Sequence, residues 1–139
     1  MSSRRSRRET LVRVAELKTK LARRDVAAQR QLLADAEALA SARQELLAGT
    51  GLSGGSPTAL EQSTQLRLLR AAAVSEADTH VRLAVLASDS ALRAWTEARR
   101  QQKLMEQLRD RAVEEALTER LRAEQREADD LASTRRADW

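Results

Sequence analysis

The sequence predicts an all-α chain: a two-helix antiparallel coiled-coil hairpin whose long C-terminal helix overhangs the first. Two observations carry that expectation. All four glycines and the single proline fall in one stretch, Gly49-Thr50-Gly51-Leu52-Ser53-Gly54-Gly55-Ser56-Pro57, and nothing else in the 139 residues would interrupt a helix. The remainder is rich in Ala, Leu, Glu, Arg and Gln, with 33% charged and only 1% aromatic residues, the composition of long helices and coiled coils. Phe, Tyr and Cys are absent, and Trp95 and Trp139 alone cannot furnish an aromatic core. One coiled-coil unit over residues 1–139 is therefore expected rather than a compact domain.

The first helix is expected over 8–48. Ahead of it, Ser3-Arg4-Arg5-Ser6-Arg7-Arg8 concentrates the positive charge: residues 1–48 carry a net +5, residues 49–98 a net −1, and residues 99–139 none. Glu9, Arg13 and Glu16 follow where a twin-arginine signal would need an apolar run, so that reading fails. The arm reads as a solvated, frayed helix start. Contact with nucleic acid or anionic lipid is the competing reading. Within the helix, Val14, Leu17, Leu21, Ala28, Leu32, Ala36, Leu39 and Leu47 follow an eleven-residue spacing better than a seven, which favours nearly straight winding.

The loop is expected over 49–57. Gly49 stands where a left-handed C-terminal cap belongs, after Leu46-Leu47-Ala48. Thr58-Ala59-Leu60-Glu61 matches a capping box, so the second helix is expected over 58–136. There, Ala77, Val81, Ala84, Ser88, Ala91, Trp95, Ala98, Gln102 and Met105 alternate steps of four and three, the repeat of a coiled-coil seam. Pairing outward from the loop sets Leu46 beside Leu60, Leu39 beside Leu66 or Arg67, and Leu11 beside Trp95, making Trp95 a packing anchor for the start of helix one. The second helix then outruns the first from about Arg99, by close to 60 Å at 1.5 Å per residue. Beyond that point Leu104, Leu108, Ala112, Leu117, Leu121, Ala128 and Leu131 continue an apolar stripe, which marks a partner surface. The competing readings are that helix one slides further along to cover it or that the protein pairs with itself.

Chemistry is not expected. His80 is the only histidine, there is no cysteine, and Asp129-Asp130 reads as a solvated pair near a helix end. No glycine-rich loop follows a strand, and a two-helix rod offers no walled pocket. Neither cofactor nor metal is expected. No apolar run approaches the length of a membrane span, so direct membrane insertion is not expected either. Arg99-Arg100-Gln101-Gln102-Lys103 is a basic patch without interleaved aromatics, and the acidic residues after it cancel its field. Nucleic acid is therefore a poorer fit than an acidic protein surface.

The order of residues in the second helix resembles the FliJ family of flagellar export proteins. The resemblance is carried by Ala91-Leu92-Arg93-Ala94-Trp95-Thr96-Glu97-Ala98-Arg99-Arg100, by Leu104-Met105-Glu106-Gln107-Leu108-Arg109-Asp110-Arg111, and by Glu124-Gln125-Arg126-Glu127-Ala128-Asp129-Asp130-Leu131-Ala132 with Arg135-Arg136. The start at Glu9-Thr10-Leu11 and the central break also fit. That resemblance implies a non-enzymatic stalk or adaptor, cytoplasmic and peripheral to the inner face of the cell membrane. It implies three partners: the hexameric export ATPase, an export-gate membrane protein, and export chaperones. Carried onto this chain, Arg99, Arg100, Lys103, Leu104, Leu108, Arg109 and Arg111 would face the ATPase. Leu39, Ala42, Leu46, Leu66, Ala73 and Ala77 would approximate the gate-facing surface. One departure stands out, because family members often place Tyr and Phe on that face and this chain has neither. The competing expectations are a stalk of a non-flagellar type III system, a nucleic-acid-binding coiled coil using the basic arm, and a self-associating rod.

Overall fold

A computed structural model describes residues 2–52 and 54–137. The chain forms two helices, α1 (Ser2–Ala48) and α2 (Pro57–Ala137), of 47 and 81 residues. Strands are absent among the described residues. Helix α1 starts six residues earlier than the sequence suggests, with the four arginines inside its first turns and Arg5 Nε 3.6 Å from Glu9 one turn on. Contacts divide the chain into two compact units. The first comprises the residues up to Lys18 with those from Ala98 onward, and the second is Thr19–Glu97.

Both helix ends at the loop are built differently from expectation. Gly49 does not adopt a positive φ. The end of α1 is closed instead by its own backbone and by side chains. Gly49 N donates to Glu45 O at 2.9 Å and Thr50 N to Leu47 O at 3.1 Å. The Thr50 hydroxyl donates to Leu46 O at 2.7 Å, so a carbonyl left over at the helix end has its partner without a left-handed residue. At α2 the N-cap is Ser56 rather than Thr58: its Oγ accepts from Ala59 N at 3.2 Å and its carbonyl from Leu60 N at 3.0 Å. Pro57 then takes the first helical position, where its missing N–H costs nothing.

In the unit Thr19–Glu97 the helices run antiparallel in a register that two arginines report. Arg43 Nη1 on α1 donates to Ala73 O on α2 at 3.1 Å, and Arg70 Nη1 on α2 donates to Leu46 O on α1 at 3.1 Å. Leu46 is thus level with Arg70, about ten residues further along α2 than pairing outward from the loop would put it. The physical reason lies in the loop, which is not a tight turn. Residues 57–69 of α2 extend past the end of α1, and apart from the half-buried Ala59 and Ser63 they are exposed. Those turns rise about 20 Å, a distance the eight-residue connection can span when extended at about 3.3–3.6 Å per residue.

The seam follows from burial. On α2 the buried and half-buried residues Ala77, Val81, Ala84, Ser88, Ala91 and Trp95 form the line the sequence predicts. On α1 the line is a regular alternation of threes and fours: Thr19, Ala22, Val26, Gln29, Leu33, Ala36, Ala40, Arg43 and Leu47. The eleven-residue set is therefore corrected. Only its Ala36 and Leu47 lie in this seam, whereas Leu21, Leu32 and Leu39 are exposed. In the register set by Arg43 and Arg70, Val26 faces Ala91, Leu33 faces Ala84, Ala40 faces Ala77 and Trp95 faces Ala22, so that nearly every large side chain meets a small one. Trp95 is half-buried in this seam, while Leu11 is exposed and belongs to the other unit.

The unit that joins the start of α1 to the later part of α2 repeats the pattern. Val12 and Ala15 are buried on α1, and Gln102, Met105, Glu106, Arg109 and Ala112 are half-buried on α2. From Val113 to Ala137 every residue is exposed. The unpaired stretch therefore begins near Val113 rather than Arg99, and rises about 37 Å. It is shorter than expected because α1 starts earlier and engages α2 further from the loop.

Candidate functional site

With the seam fixed, each remaining position on the rod has a side. Labelling the seam positions a and d, the c and g positions of both antiparallel helices share one flank and the b and e positions share the other. Within Thr19–Glu97 the c/g flank carries Leu21, Leu32, Leu39 and Leu46 from α1 and Leu66, Leu69 and Leu83 from α2, all exposed. On the b/e flank α1 presents Lys20, Arg23, Arg30 and Glu37 and nothing apolar larger than alanine. On that same flank α2 adds the exposed Leu68, Val85 and Leu92.

The gate-facing candidates sort cleanly on this frame. Leu39, Ala42, Leu46, Leu66 and Ala73 all fall on the c/g flank. Ala77 does not: at 1% exposure it is the most buried residue of the core, packed in the seam, and it offers no surface. Beside it, Glu76 lies 3.7 Å from Arg43 Nη1 and 3.8 Å from His80 Nε2. The Arg43 side chain is 29% exposed and half-withdrawn from water, so its bonds to Ala73 O and Glu76 hold α1 against α2 at this level.

A second polar contact ties down the loop. The last turn of α1 contains no basic residue, and Arg70 from α2 supplies the cation that the negative end of that helix lacks. Its Nη1 also donates to the Thr50 hydroxyl. Sequence reading missed both arginines because Arg43 and Arg70 sit at seam positions usually reserved for apolar residues.

The ATPase-facing candidates lie alongside the start of α1, in the same unit, rather than on the free stretch. Arg99, Arg100, Lys103 and Arg111 are exposed, as are Leu104 and Leu108. Arg109 is half-buried with its Nε 3.0 Å from Asp110. They occupy several sides of α2, so they do not form one face. The free stretch has its own apolar residues, with Val113, Leu117, Leu121 and Leu131 each between 55% and 66% exposed. Alternating acidic and basic side chains separate them.

No cluster of three or more potential metal ligands occurs among the described residues, and no helix is long and apolar enough to cross a membrane. A depression lined by Arg111, Glu115, Thr118 and Arg122 is an open groove on the surface of α2, without walls that could exclude water.

Comparison with known proteins agrees with this architecture. The family model for the flagellar FliJ protein matches residues 5–137, covering nearly the whole of both helices. Searches of characterised proteins and of solved structures give no match. The chain belongs to the FliJ family, whose members are non-catalytic components of the flagellar export apparatus.

Proposed function

We propose that this chain is the stalk and adaptor of the flagellar export apparatus. The free C-terminal stretch of α2 enters the ring of the export ATPase, and the leucine flank near the loop meets the export-gate membrane protein. Export chaperones are carried between rounds of delivery. The protein works in the cytoplasm, at the inner face of the membrane, and performs no chemistry of its own.

The observation that carries this reading is the exposed helix from Val113 to Ala137, with leucines that no part of the described chain covers. A lone helix of this length in water gains little from its own backbone, so a persistent apolar series along it points to a partner that completes the burial. The leucine flank supports the gate contact in the same way. Without Tyr or Phe its affinity rests on Leu and Ala, which favours a transient contact over a tight one.

The test is a binding comparison with purified export ATPase and with the soluble part of the gate protein. The full-length chain is expected to bind both. Leu117→Ser with Leu121→Ser should weaken only the ATPase, and Leu39→Ser with Leu46→Ser only the gate. If each pair weakens both partners equally, or neither, the division of the rod into two working ends is wrong.

A further inference from the structure

We propose that the c/g flank between Thr19 and Glu97 is a docking groove for a basic amphipathic helix of a partner protein, laid along the hairpin as a third strand. This deepens the reading of that flank as a gate-facing surface by naming the chemistry of what it holds.

Its apolar residues recur at heptad spacing. On α1, Leu21, Ala28, Leu32, Leu39, Ala42 and Leu46 occupy successive c and g positions and run parallel to the seam one residue away. A helix carrying two adjacent heptad lines packs against two neighbours at once, and here only the first line is used. On α2 the same flank carries Leu69 and Leu83 toward the loop and the smaller Ala87, Ser90 and Ala94 further along. The groove follows α1 for about 37 Å, the length of a helix of about 25 residues.

Charge selects the occupant. The polar positions that interrupt the α1 line are Asp25 and Asp35, and on α2 the same flank carries Glu97 together with His80 and Glu76, the latter paired with Arg43. Between Thr19 and Glu97, not one c or g position of either helix holds lysine or arginine, although the chain as a whole carries a net +4. Arg43 reaches toward this side from the seam, but its guanidinium is engaged by Glu76 and Ala73 O. The basic residues Lys20, Arg23 and Arg30 stand on the other flank. A leucine-lined groove with carboxylate edges fits a helix with an apolar stripe bordered by Lys or Arg. A second copy of this chain presenting the same flank would set acidic edges against acidic edges, a disfavoured pairing.

The test uses the full-length protein and two synthetic helical peptides with one shared leucine stripe, bordered by lysine in one and by glutamate in the other. Titration of fluorescently labelled peptide is expected to show the lysine peptide binding at least tenfold more tightly, one peptide per chain. Leu32→Ser with Leu39→Ser should abolish that binding while the helical circular dichroism is retained. Asp25→Lys with Asp35→Lys should reverse the preference between peptides, whereas Arg23→Glu with Arg30→Glu, on the far flank, should not weaken it. Equal binding of the two peptides, binding that survives loss of the leucines, or no binding at all would overturn the proposal. So would a sedimentation profile in which a second copy fills the flank at the concentrations used. Because neither peptide involves the ATPase or the gate protein, failure here leaves the stalk reading to its own test.

Discussion

Arg70 on α2 donates a hydrogen bond of 3.1 Å to the carbonyl oxygen of Leu46 on α1, and this contact fixes where the two helices meet. Arg43 makes the reciprocal contact from α1 to Ala73 O on α2. A seam made largely of alanine discriminates poorly between registers, because neighbouring layers look alike. Two charged clasps near the loop supply the discrimination that the apolar layers lack.

Removing a clasp should cost stability. A hydrogen bond from a charged donor contributes about 1.5–3 kcal/mol, and partial exposure reduces this. Arg70→Leu is expected to lower unfolding free energy by roughly 1 kcal/mol in urea denaturation followed by circular dichroism. Arg70→Leu combined with Arg43→Leu should lose more, and a double variant as stable as the native chain would show that the clasps are incidental.

The register itself can be read chemically, because the chain has no cysteine of its own. Ala40→Cys with Ala77→Cys should cross-link within one chain through a short bis-thiol reagent. Leu46→Cys with Leu60→Cys, the pair opposed if the helices met directly at the loop, should not.

Close packing along the seam predicts an asymmetry between small and large residues. Ala77→Leu inserts volume at a position that is 1% exposed and should destabilise by about 1–3 kcal/mol. Leu17→Ala removes as much carbon from a residue that is 59% exposed and should change stability by about 0.5 kcal/mol or less. Thermal and urea unfolding of both variants would check the order.

These contrasts show how much of the structure was legible in the sequence. The two helices and the break followed from where Gly and Pro fall, and the α2 line from Ala77 to Met105 followed from its spacing. The α1 line was misread for a physical reason. Leu17, Leu21, Leu32 and Leu39 drew the periodicity onto the wrong side, while the seam uses Thr19, Ala22, Gln29 and Arg43 beside Leu33 and Leu47. A count of hydrophobic residues cannot distinguish a stripe buried within the chain from one exposed on its surface. The register was illegible because it depends on a loop that spans past the first turns of α2. The candidate contact residues were legible as a set, but not as a face, until the seam was known.

The N-terminus of α2 offers a local check. Ser56→Ala removes the hydroxyl that accepts from Ala59 N and should cost about 1 kcal/mol, as is usual for loss of an N-cap. Thr58→Ala, which would break the alternative capping box, should cost less, and the two unfolding midpoints distinguish the schemes.

The central claim is that the exposed stretch of α2 beyond Ala112 is the working end toward the export ATPase. Turnover by the cognate ATPase should be measured with full-length chain and with the triple variant Leu117→Ser, Leu121→Ser and Leu131→Ser, whose exposed positions leave the hairpin intact. Native chain is expected to raise turnover and ring assembly while the variant, equally helical, does not. Equal stimulation by both would contradict it and move the contact back to the paired section around Arg99 and Lys103.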